Sequence, residues 1–591
     1  MKPYGTRLKD HFQSELTALV EEAAVFAQSY PAEADALRLG SSGSTDPHVR
    51  MLMQSFAFLT GRVRHEMEQA KAHMANALLQ HLQPQLALPL PSMMVAQMAV
   101  RPDTPPGAVL ERGRQVQALA TDGTGERRIC KLRSTMSVPL LPLQVRAASL
   151  HAADAAQGGH AVLRIEVVRQ GVASTASLGL ERLRFYIDST QRHAFYLYEQ
   201  LAMRVCSVRL NGQVQPQCVV RWLGFDEASA ALPALDHAQP GHRLLQEYFA
   251  FPEKFMFFDL GALDCKAVEG DFTLELLLDA PIDTERELPP NLLRLNCVPL
   301  VNLYAQRLDP MPLNHARFEY PLKADLANHR HCEVHSLEEL VAIQSDGSLR
   351  ELRPYFEMQD LLHERTGDYF YVLRHERSQL GDVAGTEAHL SFLDTAQQRV
   401  LPVAEVMAGR ALCTNRRLPE RLRPGQTMQL EGAGPVLDLT LVSKPSAHDA
   451  PVLTGQRPWT LVSALSLNHR SLANGPAALT ALKQVLLAYV GPGGVQAVKH
   501  IDGLQGMGCR QVLRHRFHAG MRSFFHCLEV VLRVDRAAFE HSSAVLFASV
   551  LRHFMAQFAA VNTLVELSLE CTSRREPLMS WPPLAGEQEL V

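Results

Sequence analysis

The sequence of 591 residues lacks the features that mark membrane, secreted and disulfide-bonded proteins. No apolar run approaches the roughly 18 residues that a membrane-spanning helix needs, so we expect no transmembrane helix. The opening segment, MKPYGTRLKDHFQSELTALV, has no apolar core of the kind found in signal peptides. The ten cysteines are scattered and form no Cys-x-x-Cys pair. This pattern predicts reduced, mostly buried thiols in a cytosolic protein.

Strong charge of either sign is also missing. The chain has 58 basic and 62 acidic residues, a net charge of −4, and no dense block of Lys or Arg. Nucleic-acid binding and direct membrane insertion are therefore not expected. With 47% apolar and 20% charged residues, the chain has enough apolar side chains for large cores, and its length predicts about three or four domains.

Motifs for catalysis are absent as well. No G-x-S-x-G nucleophile elbow and no phosphate-binding G-x-x-x-x-G-K-[ST] loop occurs. The Gly-rich stretch 491–508 completes neither a P-loop nor a G-x-G-x-x-G motif, and His65-Glu66 is followed by Gln69 where a zinc protease needs its second His. The sequence thus predicts no enzyme, no cofactor and no metal, and favours a structural role.

One cluster leaves an alternative open. Four possible zinc ligands fall within seven residues, namely His329, His331, Cys332 and His335. Their spacing matches no structural zinc pattern, and no second ligand pair lies close in sequence. The alternative hypothesis is a cytosolic metalloprotein or enzyme with a site near His329–His335, and stoichiometric zinc that survives dialysis would favour it.

The most regular stretch of the chain lies between Ser44 and Pro84. Asp46 is a good N-cap, Pro47 suits the first helical position, and Pro84 stops the run. Between them the sequence predicts a helix of about 36 residues, roughly 54 Å long. Its apolar residues repeat every three or four positions and form one stripe. The stripe begins with Val49, Leu52, Phe56, Leu59, Val63 and Met67.

A second amphipathic helix is predicted over residues 8–30, so the first 83 residues form a helical hairpin. Two helices with wide apolar stripes cannot cover each other completely. The long helix is then either a core helix of this chain alone or a helix that packs against another subunit. We expect its six apolar residues to form a partner interface.

The rest of the chain predicts an α+β multidomain protein. After an N-terminal helical region (1–90) come a β-rich domain with helical insertions (91–330), a second β-rich domain (331–455) and a C-terminal α/β domain (456–591). Short strands broken by Gly and Pro fill the middle, and Pro451–Pro458 is a plausible hinge. The last domain has a strand at Phe524–Val534, a helix at Ser542–Val561 and a strand at Thr563–Glu570. Less regular segments predict a helix at Pro289–Leu295, a strand at Val462–Leu467, and a hairpin of Val205–Leu210 with Cys218–Trp222 around Asn211-Gly212.

An ordered set of segments resembles the TssF family, the type VI secretion baseplate subunits of Gram-negative bacteria. The most specific segment is Leu245–Asp259, with its LQEYFAFPEKF core. Further matches run from end to end in the same order: Asp46–Val49, Ser55–Thr60, Pro91–Met93, Pro299–Leu303, Leu412–Arg416, Leu465–Asn468, Glu529–Asp535 and Ser580–Pro583.

This resemblance implies a non-enzymatic scaffold. TssF proteins pair with TssG, two copies per TssG, and join TssK and TssE in a baseplate wedge, six of which surround the hub and spike. The family is similar to phage wedge proteins, whose N-terminal helices form a shared core bundle. The resemblance therefore implies contacts with TssG, a second TssF copy, TssK, TssE, the hub and neighbouring wedges. It also implies a cytoplasmic location, in a baseplate docked at the inner-membrane complex.

Overall fold

The computed structural model is a mixed α+β protein with 29% helix and 39% strand, arranged in several sheets, which confirms the predicted fold class. The structure describes residues 4–40, 43–153, 159–171, 182–234, 240–265, 268, 270–281, 287–344, 346–355, 369–378, 383–394, 398–400, 406–432, 434–451, 457–465, 476–491, 493–518, 521–557, 559, 563–572 and 576–586.

Within these ranges the helices are α1 (Tyr4–Ser29), α2 (Pro31–Ala36), α3 (Pro47–Leu82), α4 (Ala194–Arg204), α5 (Pro240–Ala250), α6 (Arg457–Leu465), α7 (Pro476–Tyr489), α8 (Val495–Asp502) and α9 (Ala544–Ala556).

The strands of the first half are β1 (Leu39–Gly40), β2 (Gly43–Ser44), β3 (Met93–Val100), β4 (Val109–Leu110), β5 (Gln115–Thr121), β6 (Arg127–Ser134), β7 (Val138–Pro139), β8 (Leu143–Ala152), β9 (Ala161–Arg169), β10 (Arg182–Ile187), β11 (Val205–Leu210), β12 (Gln213–Val214), β13 (Val219–Trp222), β14 (Phe257–Gly261), β15 (Phe272–Leu278) and β16 (Leu293–Arg294). Those of the second half are β17 (Cys297–Val301), β18 (Tyr304–Arg307), β19 (Met311–Pro312), β20 (Glu319–Leu322), β21 (Glu333–Ile343), β22 (Leu349–Glu351), β23 (Tyr369–Arg377), β24 (Thr386–Asp394), β25 (Val406–Thr414), β26 (Thr427–Leu430), β27 (Val436–Leu441), β28 (Leu504–His518), β29 (Met521–Val534), β30 (Thr563–Cys571), β31 (Pro577–Ser580) and β32 (Leu584–Ala585).

The chain divides into two compact units. The first comprises Met1–Leu82 and Val452–Leu465, and the second comprises Gln83–Pro451 and Ser466–Val591. In the first unit, α1 and α3 form the predicted helical hairpin, and α6 packs against α3. The helical unit is therefore built from two segments that are far apart in sequence.

A closed barrel forms one core of the second unit. Its strands follow the order β17-β3-β27-β26-β5-β6, and their inward side chains include Met94, Val116, Leu132, Val298 and Leu439. Strands β26 and β27 come from the predicted second β-rich domain and pair with β5 and β3 of the first. The barrel therefore takes strands from both sides of the predicted boundary at residue 330. The division into four domains stays a prediction.

Two further cores lie in the middle of the chain. One sheet of the β-rich region has the strand order β12-β11-β15-β9-β8. A separate sheet has the strand order β13-β14-β10-β16. Farther along, the sheets β18-β25-β21-β22 and β20-β24-β23 share one apolar core that includes Tyr304, Leu340, Leu390 and Phe392.

The C-terminal region contains the predicted strand–helix–strand unit. Strand β29 pairs in parallel with β30, and α9 connects them. The apolar residues Val545, Phe547, Val550, Leu551 and Phe554 of α9 are all buried. The side chain of Phe558 lies outside the described residues. This region belongs to the same unit as the barrel because α9 also packs against α5, where the Tyr248 and Phe547 rings lie 5.7 Å apart.

Three local predictions are wrong. Residues Pro289–Leu295 form a turn and the short strand β16 instead of a helix. Val462–Leu465 belongs to helix α6 instead of a strand, while residues 466–467 lie outside the described part. The Asn211-Gly212 turn is present, with φ values of 47° and 81°, but it joins β11 to β12. The expected second strand, now β13, pairs with β14 in another sheet.

Among the helices that the structure describes, none is long and apolar enough to cross a membrane.

Candidate partner-binding interface

Helix α3 begins where the sequence predicts. The Asp46 carboxylate accepts a hydrogen bond from the His48 N–H at 2.8 Å, which satisfies a backbone donor of the first turn. This bond lowers the pKa of Asp46. Pro47 occupies the first helical position, where a missing N–H costs nothing. The helix continues for 36 residues to Leu82, as the run of residues without an internal Pro predicted.

One face of α3 packs closely against α1. Ala57 and His65 are buried on this face, and Gly61 lies between them. A Cβ atom added to Gly61 would lie 3.0 Å from the backbone nitrogen of Phe12 and 3.1 Å from its Cα. Because only glycine leaves room for such an approach, Gly61 fixes how closely the two helices pack.

The predicted apolar stripe lies on the other side of the helix. Leu52, Phe56, Leu59, Val63 and Met67 are 58%, 62%, 58%, 56% and 58% exposed, and Val49 is half-buried. At 100° per residue, these positions lie about 120–200° around the helix from those that contact α1. Within this chain the stripe is therefore not a core element. The hypothesis of a helix that only completes the chain's own core is not supported.

The exposed apolar surface is larger than predicted. Met51 and Phe58 of α3 are also exposed, and α1 adds Val25 and Phe26. The sequence signal for these residues was present, because each is a large apolar side chain on a helix. It was weaker because they flank the main stripe instead of repeating along it.

Charged residues lie beside this surface. Arg64 bonds Glu15 of α1 at 2.6 Å, and His11 of α1 lies 3.3 Å from Glu68. Arg62 pairs with Glu66 one turn later on α3. Each pair is at least partly exposed to solvent and contributes little stability. They keep the polar side of the hairpin soluble while leaving the apolar side open.

The histidine cluster of the alternative hypothesis does not converge on one point. The His329 Nδ1 lies 3.2 Å from the carbonyl oxygen of Leu326, and the His331 Nε2 lies 3.5 Å from Asp122. His335 is buried with its Nδ1 3.1 Å from the Ser336 hydroxyl, and burial lowers its pKa to about 3. Among the described residues, no three His, Cys, Asp or Glu side chains gather as metal ligands.

A buried polar network that the sequence did not predict lies beside this cluster. Glu333 accepts hydrogen bonds from the Thr386 N–H and hydroxyl, from the Thr414 hydroxyl, and from the His448 Nε2 at 2.6 Å. The side chains of Glu333 and His448 are 0% and 1% exposed. The network ties both sheets of this core to the segment just before Pro451, and all its bonds are internal, so its role is structural.

The LQEYFAFPEKF segment is buried and connects several elements in the interior. Glu247 accepts bonds from the Ala231 and Leu232 N–H groups at 2.8 and 2.9 Å and pairs with Lys254, and both members of the pair are 1% exposed. Its aromatic side chains pack on α9, as the Tyr248–Phe547 contact shows. The segment thus has the buried structural role that its Phe and Tyr side chains indicated.

A long helix with an uncovered apolar face, attached to a large folded body, is typical of a subunit of a larger assembly. The comparisons agree with this class. The family described as "Type VI secretion system, TssF" matches residues 5–588. The chain belongs to the TssF family.

Individual relatives cover nearly the whole chain. The type VI secretion system component TssF1 of Pseudomonas aeruginosa strain PAO1 is 29% identical over 631 aligned positions, which cover 98% of this chain and 99% of that protein. A chain of a TssK-TssF-TssG baseplate subcomplex solved by cryo-electron microscopy is similar in fold. Its TM-score is 0.72 at 22% identity, over 90% of this chain and 98% of that one. A chain of a type VI secretion baseplate complex has a TM-score of 0.64 at 20% identity, over 99% and 100%.

The prediction of a TssF-type baseplate component of the type VI secretion system is therefore confirmed at the level of family and function class. The first of the two solved structures is a TssK-TssF-TssG baseplate subcomplex, and the second is a baseplate complex of the type VI secretion system.

Proposed function

We propose that this protein is a non-enzymatic scaffold of the secretion baseplate and that the apolar stripe of α3 binds TssG and a second copy of this chain. The observation that carries the proposal is the exposure of Leu52, Phe56, Leu59, Val63 and Met67 along one face of a 36-residue helix. Membership of the TssF family supplies the identity of the partners.

The size of the stripe suits a helix-to-helix seam. Its residues lie on successive turns, so that a partner helix can follow them continuously. Fully burying one such side chain stabilises by about 1.5–3 kcal/mol. Five of them supply enough free energy to hold two subunits together after the entropy lost on association.

Replacing Phe56 by Asp tests the seam. The change removes a large apolar side chain and places a charge in a dry interface. Loss of a buried Phe costs roughly 3–5 kcal/mol, and each 1.4 kcal/mol weakens binding about tenfold. We expect Phe56→Asp, and separately Leu59→Asp, to abolish co-purification with TssG while the β content measured by circular dichroism stays normal.

Gln54→Asp is the matched control, because Gln54 is an exposed polar residue of the same helix. This variant should keep the complex. Retention of the complex by both stripe variants, measured by native mass spectrometry, would show that α3 does not bind the partner. If Phe56→Asp aggregates, Phe56→Ala provides the same measurement with a milder change.

The finer arrangement belongs to the proposal as well. We infer two copies of this chain per TssG, further contacts with TssK, TssE, the hub and neighbouring wedges, and a cytoplasmic location at the membrane-docked baseplate. Support comes from the family and from the absence of a membrane-spanning helix among the described helices. Native mass of the particle co-expressed with TssG gives the stoichiometry directly.

We also propose the division into regions 1–90, 91–330, 331–455 and 456–591 as functional segments of the scaffold. The helical unit supports the first boundary, since its first segment ends at Leu82. Deleting 1–90 should remove TssG binding, whereas the barrel should remain folded because its strands lie outside that segment.

A further inference from the structure

Two cysteines that are far apart in the sequence lie beside each other in the core shared by the sheets β18-β25-β21-β22 and β20-β24-β23. Cys413 lies in β25, opposite Val334 of β21 on one side and Tyr304 of β18 on the other. Cys332 comes two residues before Val334 and packs against the same core. The thiols of Cys332 and Cys413 are close enough to form a hydrogen bond. The fold thus brings together two sulfur atoms that no sequence motif connects.

The sulfur of Cys332 accepts two hydrogen bonds. The Tyr304 hydroxyl donates one, at an Oη–Sγ distance of 3.6 Å, and the Cys413 thiol donates the other. The Tyr304 oxygen in turn accepts a bond from the Asn415 Nδ2 at 3.4 Å, which leaves its own proton for the sulfur. The bond from Cys413 is the main cause of the lowered pKa of Cys332, and the same bond raises the pKa of Cys413. Because the thiolate is the nucleophilic form of cysteine, Cys332 is the reactive member of the pair.

The two thiols also differ in their access to solvent. Cys332 is partly accessible, whereas Cys413 is buried. A small oxidant therefore reaches Cys332 first, with Cys413 directly behind it. The exposed Cys206 lies on β11 in another sheet and provides an internal reference for a thiol whose reaction depends on exposure alone.

We propose that Cys332 and Cys413 are a peroxide-sensitive thiol pair that forms a reversible disulfide, with the Tyr304 hydroxyl supporting the Cys332 thiolate. The thiolate attacks one oxygen of hydrogen peroxide, the O–O bond breaks and hydroxide leaves, so that Cys332 becomes a sulfenic acid. The sulfur of Cys413 then attacks the sulfur of Cys332, the S–O bond breaks, and the departing hydroxide takes the Cys413 proton to form water. Each sulfur loses one electron and the peroxide gains two, while the first hydroxide takes the proton that Cys332 had released.

The disulfide requires a small movement of the backbone. Its Cα atoms have to lie about 4.4–6.8 Å apart, whereas diagonal neighbours in a ladder lie roughly 7–8 Å apart. Cys332 precedes Glu333, the first residue of β21, so its position is not set by the strand itself. The new bond would tie the chain entering β21 to β25, directly beside the hydrogen bond of 2.9 Å between Thr414 and Glu333. This chemistry is independent of the baseplate function.

The test treats the full chain with increasing concentrations of hydrogen peroxide, blocks the remaining thiols after denaturation and maps the peptides by mass spectrometry without reduction. We expect a linked peptide pair of Cys332 and Cys413 and the loss of two of the ten thiols, both reversed by dithiothreitol. Without peroxide all ten thiols should stay reduced. In Cys413→Ala, dimedone should trap the sulfenic acid at Cys332. In Cys332→Ala, oxidation of Cys413 should be at least tenfold slower.

Tyr304→Phe tests the hydroxyl that donates to Cys332. In the Cys413→Ala background it should slow dimedone trapping at Cys332 about tenfold, the usual effect of losing a hydrogen bond to a charged group. Tyr320→Phe is the matched control, because Tyr320 lies in the same core and its buried hydroxyl has no hydrogen-bond partner among the described residues. This control should change the rate less than twofold.

The proposal is wrong if peroxide oxidises Cys206 in the parent chain but yields no linkage of Cys332 to Cys413. It is equally wrong if Cys332 is linked only to Cys206 of a second copy, or if Cys413 is oxidised as fast in Cys332→Ala as in the parent chain. Equal trapping rates in Tyr304→Phe and Tyr320→Phe would overturn the role of the hydroxyl. Because mapping the parent chain needs no substitution, a variant that fails to fold does not affect the first outcome.

Discussion

A carboxylate that has no contact with water needs hydrogen-bond donors and a positive charge beside it. Glu333 has both. Burial alone would raise its pKa, yet the charge and hydrogen bond of His448, with the charge of Arg416, hold the pKa well below its usual range. Burial would likewise lower the pKa of His448, but Glu333 raises it. Each partner therefore favours the charged form of the other, and the pair stabilises the fold most when Glu333 is ionised and His448 is protonated.

The pH dependence of this pair follows from those two shifts. The contribution of His448 is complete below its unfolded pKa of 6.5 and is lost as the pH rises through its higher folded pKa. That of Glu333 is complete above 4.5 and is lost as the pH falls through its lower folded pKa. The pair thus stabilises the fold most between pH 4.5 and 6.5. Burial also lowers the pKa values of His335 and His375, and the charge of His448 adds to the shift at His335, so both histidines destabilise the fold as the pH falls.

We expect His448→Gln to destabilise the fold by roughly 3–5 kcal/mol near pH 6, the usual cost of removing one partner of a buried ion pair. The gap to the parent chain should be smaller at pH 9 than at pH 6, because the contribution of His448 falls as the pH rises toward and through its raised folded pKa. Thermal midpoints at both pH values measure this, with the exposed His48→Gln as control. An equal gap at pH 6 and pH 9 would show that the pair contributes nothing through its charge.

At the scale of elements, the contact of α1 with α3 depends on the missing side chain of Gly61. Because the nearest atoms are backbone atoms of Phe12 and His11, α1 has to move to admit a larger residue. We expect Gly61→Val to destabilise this packing by about 1–3 kcal/mol, as overpacking does. Amide hydrogen exchange should then accelerate in α1 and stay unchanged in the barrel strands.

Ala77→Val is the control, because Ala77 is exposed on the same helix. If α1 exchanges at the same rate in both variants, the close approach at Gly61 does not determine the packing of the hairpin.

The elements that the sequence predicted well have strong local signals. Helix α3, for example, has an N-cap, a first-turn proline and an uninterrupted stripe. The sequence could predict a single apolar face because the apolar residues form one stripe, and all of its first six residues except Val49 are exposed. Their role as a partner interface stays a prediction.

Other elements depend on contacts that a local pattern does not contain. Val462–Leu465 has the apolar run of a short strand, but it is helical where α6 packs on α3, residues that are nearly 400 positions apart. Likewise β13 pairs with β14, which lies farther along the chain, instead of with β11. The Glu333 network joins residues from four separate segments, so sequence spacing had no information about it.

At the scale of the whole molecule, the thiols report how completely the chain is folded. The ten cysteines form no disulfide; eight are buried, Cys332 is partly accessible and Cys206 is exposed. Burial raises the pKa of Cys130 to about 12 and that of Cys218 to about 11, which further slows reaction through the thiolate. A maleimide should label Cys206 first and the buried eight only after denaturation, when mass spectrometry should count ten. A native disulfide would contradict the cytoplasmic assignment.

The segment around Pro451 should be cut by protease without releasing the C-terminal region. Residues after 466 remain attached to the barrel unit through Phe547 against Tyr248, Tyr489 against His242, and Arg536 bonded to Glu199 at 3.0 Å. After limited proteolysis between residues 451 and 458, we expect the two fragments to co-elute in size-exclusion chromatography. Separate elution would instead indicate an autonomous C-terminal domain.

Because the helical unit is built from two distant segments, it cannot be completed early during synthesis on the ribosome. Helices α1 and α3 leave the exit tunnel first, but α6, which packs against α3, is encoded about 375 residues later. At about 5–20 residues per second, the hairpin waits roughly 20–75 s for its last helix. Throughout that interval its apolar side is open to the nascent chain's surroundings. A chaperone or an assembly partner that is present during translation would bind this surface before the rest of the chain is synthesised.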